Sequence, residues 1–83
     1  METSQAYPLD YEAYTTEEII FLTEFLALLE DYDVRPSNDR KERLKHAYPE
    51  VRRIMHNVAE EKRLDKAFYN QTGISIYKTM KSL

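Results

Sequence analysis

Fourteen residues, Ile19 to Tyr32 (IIFLTEFLALLEDY), hold more apolar surface than any other stretch of this chain, and everything else must arrange itself around them. At 100° per residue, Ile19, Phe21, Leu22, Phe25, Leu26, Leu28, Leu29 and Tyr32 fall on one arc of about half the helix circumference, with Thr23, Glu24, Glu30 and Asp31 on the other side. A surface helix needs an apolar stripe of only about 100°. The spacing therefore predicts a central helix covered by at least two other elements, the spine of a small all-α bundle.

Length and composition narrow the options. Eighty-three residues are expected to form a single helical domain with one modest core. The absence of cysteine excludes a disulfide framework and a thiolate metal site and fits a reducing cytosol. A lone glycine argues against a Gly-rich phosphate loop and against tight hairpins. The start, METSQAYPLD, lacks the basic residues and apolar run of a secretory signal. The longest apolar runs fall far short of the roughly 20 residues of a membrane span. A cytoplasmic, soluble protein is the expectation.

Charge is distributed unevenly. Residues 1–34 carry nine acids and no Lys or Arg, whereas residues 35–83 carry twelve bases and six acids, so net charges of −9 and +6 sum to −3. One reading sets the acidic first helix against the later basic helices, the charges complementing one another at the rim. The other is a basic surface that meets an anionic partner.

Taken in order, residues 1–6 have no periodicity or apolar anchor and are expected to be disordered. Tyr7 to Tyr14 places three tyrosines around Pro8 and is not a helix. The rings either lie in a groove of the bundle or form part of a partner site. Thr15 and Glu18 form a capping box that starts the first helix near Thr16, and Pro36 and its polar neighbours end it around Asp33. A second helix is predicted from Asp39, with Glu42 completing another box and a stripe of Leu44, Tyr48, Val51 and Met55 beside Ala47 and Ile54. Pro49 within it is expected to bend the helix rather than break it. Asn57 with Glu60 caps a third helix bearing Leu64, Ala67 and Phe68, and Gly73 suits a left-handed C-terminal cap. Ser75 starts a short fourth helix with Ile76, Met80 and Leu83 at helical spacing and Ile74 and Tyr77 beside them. The predicted core combines Phe21, Leu22, Phe25, Leu26 and Leu29 with Leu44, Tyr48, Val51, Met55, Leu64, Phe68 and Ile76.

The blocks YPLD, TTEEII, LKHAY, AEEKRLDKAF and TGISIYKTM, in that order from Tyr7 to Met80, resemble the YktA-like proteins of Gram-positive bacteria, uncharacterised protein family 0223. The resemblance implies a small cytosolic all-helical domain with no established activity, and hence no catalytic residues to transfer. The sequence departs from the family pattern at Tyr14, where tryptophan is common, in a longer link around Arg35 to Asn38, at Pro49, and at His56-Asn57, where Pro-Ser is usual.

Little in the sequence looks like chemistry. The one His-containing cluster, Glu42, His46 and Glu50, occupies consecutive turns and reads as a row of surface pairs with Arg53, not as a metal site. Ser4, Ser37, Ser75 and Ser82 look like tail, loop or cap residues without a base and an orienting group. No catalytic, metal or cofactor residue is assigned. Two functions are left. The preferred one is a protein-interaction module, binding another protein or itself, with Tyr7, Tyr11, Tyr14 and Ile20 as its contact residues. The alternative is a nucleic-acid or other polyanion binder using Lys41, Lys45 and Arg52 with Lys62, Arg63 and Lys66. The net charge of −3 and the acidic first third oppose that alternative.

Overall fold

A computed structural model describes residues 7–83 as four helices, α1 (Thr16–Val34), α2 (Asn38–Met55), α3 (Val58–Thr72) and α4 (Ile76–Lys81), with no strand among the described residues. The expected disorder of residues 1–6 lies outside them. The signals at the helix ends explain most of the boundaries. Thr15 Oγ1 accepts from the Glu18 amide at 3.1 Å and Glu18 Oε1 accepts from the Thr15 amide at 2.9 Å, closing the predicted box. Asn57 Oδ1 accepts from the Glu60 amide at 2.9 Å. Gly73 sits at φ 81° and donates its amide to the Tyr69 carbonyl, a left-handed cap that needs no Cβ.

The start of α2 corrects the sequence reading. Ser37, not Asp39, is the cap: its extended backbone lets Oγ accept from the Arg40 amide at 3.2 Å. Ser37, Asn38 and Asp39 are all good capping residues, and the one directly after Pro36 takes the position. Asp39 instead lies in the first turn, where its carboxylate favours the helix dipole and reaches Arg43 at 3.1 Å. Helix α2 runs unbroken through the exposed Pro49. It ends at His56, whose φ of 70° and ψ of −40°, with the Asn57 amide bonding back to the Met55 carbonyl at 2.7 Å, make a γ-turn of the strained sense.

Helix α2 is also the hub, a place the sequence assigned to α1. The backbone of α1 packs chiefly on α2, and α2 packs in turn on α3 and α4. The N-terminal segment adds to the core, against which Tyr7, Leu9 and Tyr14 all pack. Leu22, Leu26, Leu29, Leu44 and Phe68 are fully buried, joined by Phe25, Val51, Met55, Leu64 and Ile76. Ile54 and Ile74 complete the buried set. Phe21 and Tyr48, expected in the core, are only partly buried. Tyr48 stacks on Phe25 with ring centroids 6.2 Å apart, and its hydroxyl reaches the rim, 3.3 Å from Glu61.

Candidate interaction surface

The four residues proposed for protein binding do not play one role. Tyr7 is half-buried, its ring 6.2 Å from that of Phe68 and its hydroxyl donating to Glu30 Oε1 at 2.6 Å. Burial, then the Glu30 hydrogen bond and the carboxylates of Glu30 and Asp31, push its hydroxyl up to about 12. Tyr14 is also half-buried, its hydroxyl 3.3 Å from Glu60 Oε1 and 3.5 Å from Met55 Sδ. Burial and the charge of Glu60 raise its pKa as well. These two rings clip the N-terminal segment to α1, α2 and α3. Tyr11 and Ile20 remain exposed, at 50% and 52%.

The polyanion set is likewise divided. Lys45 lies 3.9 Å from Glu42, and Arg52 lies 3.4 Å from Glu61 and 5.8 Å from the Tyr48 ring centroid. Arg63 lines a cleft with Pro8 and Tyr14, away from Arg52. Lys62 does share a groove with Arg52, and a neighbouring hollow brings Lys62 and Lys66 together with Lys78. No ion pair joins Lys41, Lys62, Arg63 or Lys66 to a carboxylate among the described residues. The carboxylates of Glu42 and Glu50 turn to Lys45 and Arg53, and no His or acid cluster able to hold a metal occurs among the described residues.

The surface that emerges is one the sequence reading did not assemble. Between α2, α3 and α4 lies a largely apolar groove of about 190 Å³, with Val51, Leu64 and Ile76 in its wall and the exposed Val58 and Tyr77 on its edges. Asp65 lines it while doing structural work, accepting from the Ile76 amide at 2.7 Å and lying 3.4 Å from Ser75 Oγ, so that α3 caps α4. Glu61 ties Arg52 to the Tyr48 hydroxyl on the opposite lip. The Tyr48 hydroxyl is held protonated to higher pH by burial and the charge of Glu61, against the opposing pull of Arg52. Lys81 stands 5.9 Å from the Tyr77 ring centroid. The spacing Tyr77, Lys78, Lys81 was the available sequence signal, one turn of mixed aromatic and basic residues beside the core positions Ile76 and Met80.

Fold and surface together define a small all-helical protein with an apolar, aromatic-edged groove, and no described helix is long and apolar enough to cross a membrane. The chain belongs to the uncharacterised protein family UPF0223, which matches residues 4–83. It is 36% identical over 77 residues to a UPF0223 protein of Bacillus cytotoxicus, covering 89% of this chain and 80% of that one. A Streptococcus thermophilus UPF0223 protein is 35% identical over 78 residues, covering 93% and 80%. One from Enterococcus faecalis is 30% identical over 74 residues, covering 89% and 77%. No solved structure matches the chain.

Proposed function

We propose that this protein is a non-enzymatic cytoplasmic docking module that seats an acidic amphipathic helix of a polypeptide partner in the groove between α2, α3 and α4. The supporting observation is the groove itself, an apolar trough with Tyr77 60% exposed and Val58 57% exposed at its edges and Lys62 and Lys81 beside it. Its volume of about 190 Å³ is below the roughly 300–1,000 Å³ of small-molecule sites and suits one or two protruding apolar side chains. Buried aromatic anchors with a charged rim are the usual source of affinity at such surfaces. The cysteine-free composition fits the cytoplasm.

The lysines and tyrosines of α3 and α4 also give the polyanion alternative its best surface, but nine acids in residues 1–34 oppose a phosphate backbone. The two readings separate in one experiment. A fluorescein-labelled synthetic helix of alternating Leu and Glu faces is expected to bind the full chain at micromolar concentration. Tyr77→Ala, and separately Lys62→Glu with Lys81→Glu, are each expected to weaken it about tenfold. Micromolar binding of single-stranded RNA at low salt, without binding of the peptide, would replace the proposal with its rival.

A further inference from the structure

The chain carries, on α1, a surface complementary to that groove. Glu17, Ile20, Glu24, Asp31 and Val34 fall on one stripe about 100° wide, opposite the buried Leu22, Phe25, Leu26 and Leu29. All five are exposed, Ile20 at 52% and Val34 at 76%. The stripe therefore combines three carboxylates with two apolar side chains over about 25 Å of helix.

Its acids have no cationic partners. Among the described residues every ion pair lies within residues 39–61, joining Asp39 to Arg43, Glu42 to Lys45, Glu50 to Arg53 and Glu61 to Arg52. The positive half thus spends four of its acids on its own bases, and nothing neutralises Glu17, Glu24 or Asp31. Conversely, Lys62, Lys66, Lys78 and Lys81 meet no carboxylate within ion-pair distance among the described residues. Two unneutralised surfaces of opposite sign, each with exposed apolar residues, thus stand on one molecule with no ion pair between them among the described residues.

We infer that the occupant of the groove is a second copy of this chain, the acidic face of its α1 lying along the lysine-edged groove between α2, α3 and α4. This inference rests on the docking proposal above and names the partner. Ile20 or Val34 supplies the apolar anchor between Val58 and Tyr77, and Glu24 and Asp31 face Lys62 and Lys81. Of the lining acids, Glu61 is neutralised by Arg52, and Asp65, which keeps its charge while accepting from the amide of Ile76, shares the neighbouring hollow with Lys62, Lys66 and Lys78, which outnumber it. The contact is heterologous, joining different patches of the two copies, so one copy keeps a free α1 face and the other a free groove.

Sedimentation equilibrium of the full chain tests this. Association is expected to grow with concentration at about 50 mM salt and to weaken about tenfold or more at about 500 mM, as exposed charge pairs are screened. Glu24→Lys with Asp31→Lys, and separately Lys62→Glu with Lys81→Glu, are each expected to be folded by circular dichroism and monomeric. Mixing these two reversed variants should restore association, because the native groove of one meets the native α1 face of the other and the two reversed faces are complementary in turn. A wild-type chain that stays monomeric across both salts, or that associates indifferently to both reversals, overturns the inference. The docking proposal fails separately: a monomeric chain whose groove still binds the synthetic Leu/Glu helix, sensitively to Lys62→Glu with Lys81→Glu, keeps the groove's role and loses only its occupant.

Discussion

At the scale of single residues, Tyr7 and His56 are the most informative positions. The Tyr7 hydroxyl is raised to about 12 in the folded chain, above its ordinary value near 10, so folding favours its protonated form. That stability is fully present below about pH 10 and lost as pH rises through about 12, where the hydroxyl ionises beside Glu30. Tyr7→Phe keeps the ring on Phe68 but removes the donor to Glu30. It is expected to cost about 1 kcal/mol in urea unfolding at pH 7, discounted for partial exposure, and to make stability between pH 10 and 12 less pH-dependent. Tyr14 and Tyr48, shifted in the same direction, keep part of the slope. His56 holds a positive φ without a glycine's freedom. His56→Gly is expected to raise stability by about 0.5–1 kcal/mol in the same assay, relieving the γ-turn while leaving the Asn57 cap in place. Neither effect was legible in the sequence. Nothing local pairs Tyr7 with Glu30, 23 positions away, and a positive φ at histidine arises from how α2 and α3 must meet.

At the scale of elements, legibility follows locality. The caps at Thr15, Asn57, Gly73 and Ser75 and the stripes Leu22-Phe25-Leu26-Leu29 and Leu44-Val51-Met55 were readable because each is set by residues within two helical turns of one another. The α2 cap was misplaced because three adjacent residues offered equivalent chemistry. What holds α4 was invisible, since its key acceptor, Asp65, lies in α3, 11 residues before Ile76. Six residues make too short a helix to persist alone in water. Asp65→Ala is therefore expected to cost about 1–2 kcal/mol and to speed amide hydrogen exchange throughout residues 76–81 more than in α2. Asp65→Asn, which retains an acceptor oxygen, should show a smaller effect in both measurements.

At the scale of the whole molecule, the chain measures 34 × 33 × 22 Å, and the short dimension is about two helix diameters. A slab that thin leaves every helix a solvent face, which is why Phe21 and Tyr48 reach the surface although their spacing marks them as core. It also explains why the candidate surface was only half legible. Lys62 and Arg52 were named from the sequence, but the groove that joins them to Tyr77 and Lys81 exists only once α4 folds back on α2. The N-terminal segment has a different relation to the rest. Tyr14 meets Met55 and Glu60 across 41 and 46 positions, whereas the helices pair mainly with near neighbours in sequence. The helices can thus assemble from short-range contacts before this long loop closes. Tyr14→Phe is accordingly expected to leave the refolding rate nearly unchanged in stopped-flow experiments and to speed unfolding about fivefold, for a loss of about 1 kcal/mol. During synthesis Tyr14 precedes its docking partners Met55 and Glu60 by 41 and 46 positions, and Tyr7 precedes Phe68 by more. For that interval the rings of Tyr7 and Tyr14 have no seat on α2 or α3, and the segment can dock only once the helices it bridges have been made.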